Sequence, residues 1–443
     1  MIERKPYPAW DIMTRIESTR TPRDSLKMTD GLDLIDPRSY AKTGPPHDLW
    51  TRLRRESPIH RCEPAGYESF WAITKHSDIC EISKQPDRFL SRHGIVVLND
   101  DQIKIRAGGQ GIAAMRTIIE MDPPEHRKFR KVASPSFTPR AVKRLDEAVW
   151  ESARNIVDKL AGKTGEGECD FAIDVAAAHP LRILSTILGV PREMEPDILR
   201  LTNQLFGADD PDMRREGDDP EKVAMELGLE LFKLFNEIIE DRRAHPQDDL
   251  ATVLATATID GEPMGPMETV GYFLITFTAG HDTTKNALVG GMRAFLEHPE
   301  ELEKLKRDPD LVKPAVEEII RWTTPVNYMK RTAACDLELR GQKIQQGDNL
   351  VLFYASANRD EEVFADAFDF HVDRTPNPHL GFGIGEHFCI GSHLARKSQH
   401  ALWSELSRRL EWVEAAGEPE QIHSSFVVGL KRLPIRYRIT PAG

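Results

Sequence analysis

The chain has 443 residues, of which 40% are hydrophobic and 29% are charged, and its formal net charge is −12 at pH 7. This composition is that of a globular protein with a large core. The negative charge disfavours nucleic acid as a partner, because phosphate binding needs a basic face. The opening stretch, residues 1–24, carries prolines and frequent charges and lacks the apolar run of a signal peptide or membrane anchor. No membrane contact is therefore expected, and the cytoplasm is the expected location.

Five cysteines are scattered along the chain, and no two of them are spaced as CxxC: Cys62, Cys80, Cys169, Cys335 and Cys389. An odd number without paired spacing does not indicate a disulfide framework. The cysteines are consistent with a reducing compartment, and each one taken alone is typical of a small buried hydrophobic side chain.

The first third of the chain predicts short elements in alternation. Residues 46–59 have the pattern of an amphipathic helix, residues 67–73 that of a strand and residues 75–85 that of a short helix. Residues 93–113 are rich in glycine and are predicted to be irregular, either as a lid or binding loop or as plain disorder.

Helical periodicity dominates from residue 125 to residue 308, and the charged segment 207–222 is predicted to join two helices. Residues 266–298 predict one helix of about 33 residues, on the order of 50 Å long. Its middle, VGYFLITFTAG, is apolar on every side, so this helix should be central and buried.

Beyond residue 335 the pattern changes to short strands and turns, followed by a helix at 391–411 and a final hairpin or strand pair at 424–439. No linker rich in proline, glycine or serine divides the chain. The sequence therefore predicts a mainly α fold with a minor β part, arranged as an N-terminal extension of residues 1–30 and a single domain of residues 31–443.

The segment HLGFGIGEHFCIGSHLAR, residues 379–396, surrounds Cys389 with glycines. Glycines at this spacing allow tight turns and a close approach of the backbone to a flat ligand. Free backbone N–H groups, with the N-terminus of the helix that follows, would stabilise a thiolate at Cys389 and tune a metal bound to it. Simple packing of the cysteine is one alternative. Zinc binding with His387 and His393 is another, although HxC does not match the paired ligands of structural zinc sites.

This segment resembles the haem-binding signature FGxGxHxCxG of the cytochromes P450. All six specified positions are filled, by Phe382, Gly383, Gly385, His387, Cys389 and Gly391. The resemblance implies haem b, iron protoporphyrin IX, as the cofactor and Cys389 as the ligand of its iron. It also implies the cytochrome P450 fold, in which the long central helix lies over the haem.

The long helix carries a second match. Ala279-Gly280-His281-Asp282-Thr283 resembles the family motif Ala/Gly-Gly-x-Asp/Glu-Thr. Gly280, with Ala279, leaves room for a large group against the helix, and polar groups in an apolar helix are unfavourable unless they are bonded or act in catalysis. The resemblance implies that Asp282 and Thr283 are catalytic and guide protons. The alternative is a threonine bonded to its own helix and an aspartate in a surface ion pair.

Glu318 and Arg321 resemble the family's ExxR motif, and residues three apart on a helix share one side. In the family this pair belongs to a structural network, and Arg374 resembles its third member. Taken alone, the pair would be an ordinary surface contact. The resemblance implies a structural role for all three residues.

A further set of side chains resembles the residues that bind the haem carboxylates in the family: His126, Arg130, Arg331 and His379. His126 and Arg130 match the family pattern HxxxR. Arginine and histidine suit carboxylates because they form charge-assisted hydrogen bonds. Each of these residues taken singly is typical of a solvated surface.

The resemblance extends from about residue 30 to residue 440. It is nearest to soluble bacterial members that hydroxylate terpene alcohols such as terpineol, and next to members that oxidise sterol side chains. It implies a monooxygenase that inserts one oxygen atom from O2 into a C–H bond of a small hydrophobic substrate, which would be a terpenoid, a steroid or an alkyl-aromatic molecule. Two alternatives stay open: a peroxygenase driven by hydrogen peroxide, and a haem-thiolate binding or sensor protein without turnover.

The chain has no Rossmann fingerprint, flavin region or iron–sulfur cysteine set, so a ferredoxin is the expected electron donor. A basic patch could receive it: Lys128, Arg130, Lys131, Arg396 and Lys397. An ordinary charged surface is the alternative for those five residues. The lid is expected at residues 93–115 and 201–222. The substrate pocket is expected to use Phe273, Thr276, Phe277, Val326, Asn327, Tyr328, Phe426 and Val427, although core packing would produce the same apolar set.

Overall fold

The structure, a computed structural model, describes residues 29–109, 115, 117–217 and 219–441. Its α-helices are α1 (Pro37–Thr43), α2 (His47–Glu56), α3 (His76–Ser83), α4 (Asp100–Gly108), α5 (Glu125–Ala133), α6 (Pro139–Lys143), α7 (Asp146–Ala161), α8 (Ala178–Ile187), α9 (Glu195–Phe206), α10 (Pro220–Ala244), α11 (Leu250–Ala255), α12 (Pro266–Glu297), α13 (Pro299–Arg307), α14 (Val312–Thr323), α15 (Tyr354–Ala357) and α16 (Ser392–Arg409). Its strands are β1 (Ile59–Cys62), β2 (Phe70–Ile73), β3 (Phe89–Leu90), β4 (Glu166–Asp170), β5 (Thr258–Ile259), β6 (Glu262–Pro263), β7 (Tyr328–Ala333), β8 (Leu337–Leu339), β9 (Gln342–Ile344), β10 (Asn349–Phe353), β11 (Leu410–Ala415), β12 (Glu420–Gln421), β13 (Leu430–Arg432) and β14 (Pro434–Ile439).

Most residues in these elements are helical, so the predicted mainly α class with a minor β part is confirmed. The long predicted helix is α12, with 32 residues from Pro266 to Glu297. Pro266 suits the first turn because a proline there forfeits no intrahelical hydrogen bond. Most of the α12 side chains are buried, as the apolar middle of the helix requires. The helix therefore runs through the core and offers its faces to surrounding elements.

The largest sheet has five strands in the order β1-β2-β10-β7-β3, with β10 parallel to β2. A three-stranded sheet has the order β11-β14-β4. The two strands predicted at 424–439 are present as β13 and β14, but their pairing as a hairpin is wrong, because β13 pairs with β12 whereas β14 pairs with β11 and β4. Only Leu433 separates β13 from β14, and one residue is too short a connection for a hairpin.

The prediction of an irregular segment at 93–113 is wrong in its middle, where α4 forms. The side chain of Asn99 accepts a hydrogen bond from the backbone of Gln102, and the side chain of Gln102 accepts one from the backbone of Asn99. This capping box satisfies free N–H groups at the start of the helix. Gly109, with φ of +61°, ends the helix in a left-handed conformation that suits glycine. Residues 110–114 lie outside the described part.

The connection predicted at 207–222 agrees with the structure, since α9 ends at Phe206 and α10 begins at Pro220. The proposed extension at residues 1–30 falls almost wholly outside the described residues, so it stays a prediction. None of the described helices combines the length and the apolar character that a membrane crossing needs.

Candidate active site

A deep cavity lies between the middle of α12 and the segment that carries Cys389. Its walls come from α5, α8, α12, the start of α16 and the chain that follows α14. The described residues that line it are Ile118, Ile119, His126, Arg130, Ala133, Phe137, Pro180, Ile183, Leu184, Tyr272, Ile275, Thr276, Ala279, Gly280, Thr283, Thr284, Ala287, Ile320, Pro325, Val326, Met329, Arg331, Tyr354, Gly381, Phe382, Gly383, His387, Phe388, Cys389, Ile390, Gly391, Leu394, Ala395, Ser398 and Gln399.

Two glycines shape the turn before Cys389. Gly383 and Gly385 have φ of +66° and +80°, and a Cβ on Gly385 would lie 2.3 Å from the carbonyl oxygen of Ser83. A side chain at position 385 would therefore push this turn away from α3. The N–H of Cys389 donates to the carbonyl of Phe382 at 2.9 Å, which closes the turn and places the sulfur at the cavity wall.

The surroundings of the Cys389 thiol act on its pKa in opposite directions. Burial raises its pKa above the ordinary value, because an apolar surrounding disfavours the thiolate. The backbone N–H groups of Gly391 and Ser392 lower the pKa, and the guanidinium groups of Arg130 and Arg396 act in the same direction. The N–H groups belong to the start of α16, where the sequence predicted them. A thiolate at this position would therefore have donors ready for it.

A basic cluster, defined as His126, Arg130, Arg331 and His387, lines one side of the cavity. The rings of His126 and His387 lie 4.2 Å apart between centroids. Burial is the main cause that lowers the pKa of His126 to about 4 and that of His387 to about 2. Both imidazoles are therefore neutral at pH 7 in this structure.

The basic cluster fits the carboxylates of haem because two of its members, His126 and Arg331, lack partners in the described part of the chain that would satisfy them. Nδ1 of His126 is buried and has no hydrogen-bond partner among the described residues. Arg331 is buried, its Nη1 donates to the carbonyl of Lys330 at 2.8 Å, and no described carboxylate forms an ion pair with it. Buried cations and donors normally have partners, so these residues indicate that an anion binds in the cavity.

His379 was expected to bind a haem carboxylate, but the structure places it outside the cavity lining. Its Nε2 lies 3.0 Å from Oε2 of Glu317, and Arg396 donates to the same carboxylate at 2.6 and 2.9 Å. Burial alone would raise the pKa of Glu317, but these hydrogen bonds lower it to about 2. Glu317 was missed by the sequence analysis, although it directly precedes Glu318 of the ExxR motif. His387, two residues before Cys389 and part of the signature, is the second histidine of the basic cluster.

Helix α12 presents Ala279, Gly280 and Thr283 to the cavity. A Cβ on Gly280 would lie 2.9 Å from Cδ2 of Leu184, so glycine here allows α8 to approach α12 closely. Oγ1 of Thr283 donates to the carbonyl of Ala279 at 2.6 Å. This is the back-bonded threonine that the sequence analysis kept as an alternative. The bond fixes the hydroxyl oxygen at the cavity surface with its lone pairs free to accept.

Asp282 does not line the cavity and points to another side of α12. It is 6% exposed, and its Oδ1 lies 3.3 Å from Nδ1 of His281. Within the described residues, Asp282 therefore neither lines the cavity nor forms a surface ion pair, which was the alternative in the sequence analysis. Consecutive helical residues are turned by about 100°, and this turn places Asp282 beyond the edge of the cavity face that Thr283 occupies.

Two of the expected pocket residues, Thr276 and Val326, line the cavity. The other six lie outside the lining: Phe273, Phe277, Asn327, Tyr328, Phe426 and Val427. The two phenylalanines of α12 pack instead against Phe235 in the core, each with ring centroids 5.8 Å apart. The amide of Asn327 donates to Tyr40 and Ser425, and the ring of Tyr328 packs 5.4 Å from that of Phe426.

Several lining residues were missed by the sequence analysis. Ile275 lies four residues before Ala279, and helical spacing could have placed it on the cavity face. Ile183 and Leu184 of α8 and Met329 of β7 come from elements that carry no motif. No local signal in the sequence distinguishes them from core residues.

Glu318 and Arg321 are both fully buried and form two hydrogen bonds of 2.7 Å each. Nε of Arg374 lies 3.1 Å from both oxygens of Glu318. Arg321 also donates to the carbonyls of Asn358 and Ala367, each at 2.9 Å. The structure thus brings the three residues together and anchors the chain that leads to Cys389.

The expected basic patch is partly neutralised by acidic neighbours. Lys128 forms an ion pair with Asp260, and Lys397 forms one with Asp146. The remaining members of the patch are Arg130, which donates to the carbonyl of Phe388, Arg396, which pairs with Glu317, and the exposed Lys131. The patch is therefore less positive than its sequence suggests.

Comparison with known proteins agrees with this arrangement. A sequence model of the family described as Cytochrome P450 matches residues 39–439. Cytochrome P450-terp from a Pseudomonas species is 36% identical over 413 residues, which cover 91% of this chain and 96% of that protein. Steroid C26-monooxygenase from Rhodococcus jostii is 35% identical over 427 residues, which cover 94% of this chain and 87% of that protein. These two relatives confirm the branches that the sequence resemblance indicated.

Solved structures give the same result. The crystal structure of CYP108D1 from Novosphingobium aromaticivorans has a TM-score of 0.84 and 37% sequence identity, and the match covers 93% of this chain and 98% of that one. The cytochrome P450 fold predicted from the sequence is thereby confirmed, and haem is the cofactor of this family. The chain therefore belongs to the cytochrome P450 family and is a haem-thiolate monooxygenase of hydrophobic substrates.

Proposed function

We propose that this enzyme inserts one oxygen atom from O2 into a C–H bond of a terpenoid, steroid or alkyl-aromatic molecule, with electrons from a ferredoxin. The observation that carries the substrate class is the composition of the cavity wall around α12. Ile275, Val326 and Met329 are apolar, and the hydroxyl groups of Thr276 and Thr283 are neutral. Such a wall favours an apolar ligand with few hydrogen-bonding groups over a sugar or a nucleotide.

Haem, when bound, supplies the reductive activation of dioxygen, and thiolate ligation favours O–O cleavage. In this proposal the sulfur of Cys389 holds the iron, and the basic cluster holds the carboxylates. Thr283 keeps a water molecule at the cavity surface, because its hydroxyl oxygen can accept a hydrogen bond while it donates to Ala279. Asp282, on the other side of α12, relays protons from outside to that water. The surrounding apolar residues orient the substrate and exclude bulk solvent.

The proposed ferredoxin would approach the surface near Arg130 and Lys131. Support for an external donor comes from the sequence, which has no flavin or iron–sulfur motif. All five cysteines are free of disulfides. This agrees with a reducing compartment such as the cytoplasm, where we propose the enzyme works.

The proposal is tested with haem-loaded protein and a panel of terpenoids, steroids and alkyl-aromatic compounds. At least one class should shift the haem absorption spectrum and yield a hydroxylated product with NADH, ferredoxin reductase and a ferredoxin. Val326→Trp should abolish the shift with the same compounds, because it fills the cavity, while the haem content stays unchanged.

Each alternative predicts a different result in this experiment. Equal product formation from hydrogen peroxide without a ferredoxin would indicate a peroxygenase. A spectral shift without product under either condition would indicate a binding or sensor protein. If none of the three compound classes shifted the spectrum, the proposed substrate class would be wrong.

A further inference from the structure

A second, much smaller cavity lies beside α12, and none of its lining residues also lines the main cavity. We call it the polar chamber. It has room for about one water molecule. Its walls are formed by Asp282, Lys285 and Asn286 of α12, by residues at and after the end of α9, and by Ile422 and Val427 near the C-terminus.

Three polar atoms at this chamber lack a hydrogen-bond partner among the described residues. They are Oδ2 of Asp282 and both the Oδ1 and Nδ2 atoms of Asn286. Asp282 is 6% exposed and Asn286 is 2% exposed, so bulk water does not reach them. Buried polar groups are nearly always satisfied by protein or by ordered water. Two unsatisfied side chains facing a space of one water therefore indicate that a water occupies it.

Lys285 is the third polar wall residue, and it is 5% exposed. No carboxylate of the described part lies within ion-pair distance of its amine. Burial lowers the pKa of Lys285, whereas Asp282 on the same helix raises it. Asp170 of β4 and Asp210, which follows α9, act in the same direction as Asp282. A buried ammonium without a direct partner is unfavourable, so a water that links it to Asp282 would stabilise both charges.

His281 lies beside the other oxygen of Asp282. The Nε2 atom of His281 lies 3.0 Å from the carbonyl oxygen of Ala177, which can only accept, so Nε2 carries a proton. Its Nδ1 lies 3.3 Å from Oδ1 of Asp282, and in the neutral ring this nitrogen is an acceptor that offers the carboxylate no hydrogen. The donors for the Asp282 carboxylate must therefore come from the polar chamber.

We propose that one water molecule in the polar chamber joins Asp282, Lys285 and Asn286, and that Lys285 is a positioning residue whose cation acts on the Asp282 carboxylate through this water. The water accepts a hydrogen bond from the amine of Lys285 and donates one to Oδ2 of Asp282. Asn286 completes its coordination. The inference deepens the proposed proton role of Asp282 and rests on it for its catalytic meaning, but the pairing itself can be measured without turnover.

The direct test is infrared difference spectroscopy of the haem-loaded protein during a pH titration. Asp282→Asn identifies the carboxyl band of Asp282. Lys285→Met removes the cation, so the midpoint for protonation of Asp282 should rise by about one to three pH units. Lys285→Arg keeps a cation and should restore a midpoint close to that of the wild type. Lys343→Met removes an exposed lysine from β9 and serves as the matched control.

Lys285→Gln gives a second variant without the charge if Lys285→Met does not fold. An unchanged midpoint in these variants would overturn the inference, as would a high-resolution map that shows a dry chamber. The proton role of Asp282 is tested separately, by the fraction of consumed reductant that Asp282→Asn converts into product. Full coupling in that variant would overturn the catalytic role, whereas a shifted midpoint would still support the pairing with Lys285.

Discussion

Arg331 is a buried cation at the cavity wall, and no described carboxylate pairs with it. We therefore expect Arg331 to destabilise the protein without haem and to stabilise its complex with haem. The structure brings Arg331 to the same cavity as His126 and Arg130, as their family-specific positions indicated. It places His379 outside the cavity lining, because the competing partner Glu317 comes from another element and leaves no pattern near His379.

Arg331→Ala should weaken haem binding without lowering the stability of the empty protein. Loss of a hydrogen bond to a charged group is worth about 1.5–3 kcal/mol, which corresponds to a roughly 10- to 150-fold rise in the dissociation constant. Titration of the empty protein with haem measures this constant, and urea unfolding measures the stability. Arg144→Ala, which changes an exposed arginine, is the control. Unchanged haem affinity in Arg331→Ala would show that Arg331 does not bind a carboxylate of the cofactor.

Thr283→Ala should keep haem and substrate binding but divert reduced oxygen to hydrogen peroxide. The reason is that the Thr283 hydroxyl, fixed by its bond to Ala279, can hold a water at the cavity surface. The measurement is product and peroxide formed for each NADH oxidised. Thr283→Ser retains the hydroxyl and should remain close to the wild type. If the two variants are coupled equally well, Thr283 has only a packing role.

At the scale of elements, the Glu318–Arg321 pair of α14 fixes the chain that leads from Asn358 to the Cys389 turn. The ExxR spacing predicted that the two residues share a helix face, and the structure agrees. Spacing alone could not show that they are fully buried, since burial depends on the chain at Asn358 and on the loop that carries Ala367. Without such neighbours, a pair of residues with the same spacing forms only a surface contact.

Glu318→Ala should lower the free energy of unfolding by about 3–5 kcal/mol, because it leaves Arg321 charged and unpaired in the core. Glu303→Ala is a matched control, since Glu303 and Lys306 form an exposed pair with the same spacing. Exposed pairs contribute about 0–1 kcal/mol. Urea unfolding of both variants measures the difference. Equal effects of the two substitutions would contradict a structural role for the buried pair.

His179 links three helices, because its ring lies 2.9 Å from Oγ of Ser152 on α7 and 3.0 Å from the carbonyl of Ser398 on α16. Burial lowers its pKa from 6.5 to about 4. As pH falls, His179 is therefore protonated at a higher pH in the unfolded chain than in the folded protein. The stability that the neutral ring contributes is complete above pH 6.5 and is lost as pH falls towards 4.

His179→Gln should remove this part of the acid sensitivity. The free energy of unfolding of the wild type should fall between pH 6.5 and pH 4. That of the variant should fall by up to about 3 kcal/mol less over the same range. Urea unfolding at several pH values across this window measures the slope. Parallel slopes for the two proteins would mean that His179 is protonated equally in the folded and unfolded states.

At the scale of the whole molecule, the sequence predicted the class of fold, the central helix and the cysteine turn. These features depend on local patterns: an apolar run on every side of α12, and glycines at fixed distances from Cys389. The substrate-facing wall could not be predicted in the same way. Phe273 and Phe277 are as apolar as Ile275, and only their packing against Phe235 of α10 decides that they belong to the core.

The central claim is that the sulfur of Cys389 ligates the haem iron as a thiolate, and the absorption spectrum of the reduced protein with carbon monoxide tests it most directly. Thiolate donation moves the main band to the long wavelength that is characteristic of this family. The wild type should show that band, and Cys389→Ser should lose it. Cys80→Ser, which changes a half-buried cysteine outside the cavity, should keep it. Retention of the long-wavelength band by Cys389→Ser would show that another residue is the ligand and would contradict this account of the site.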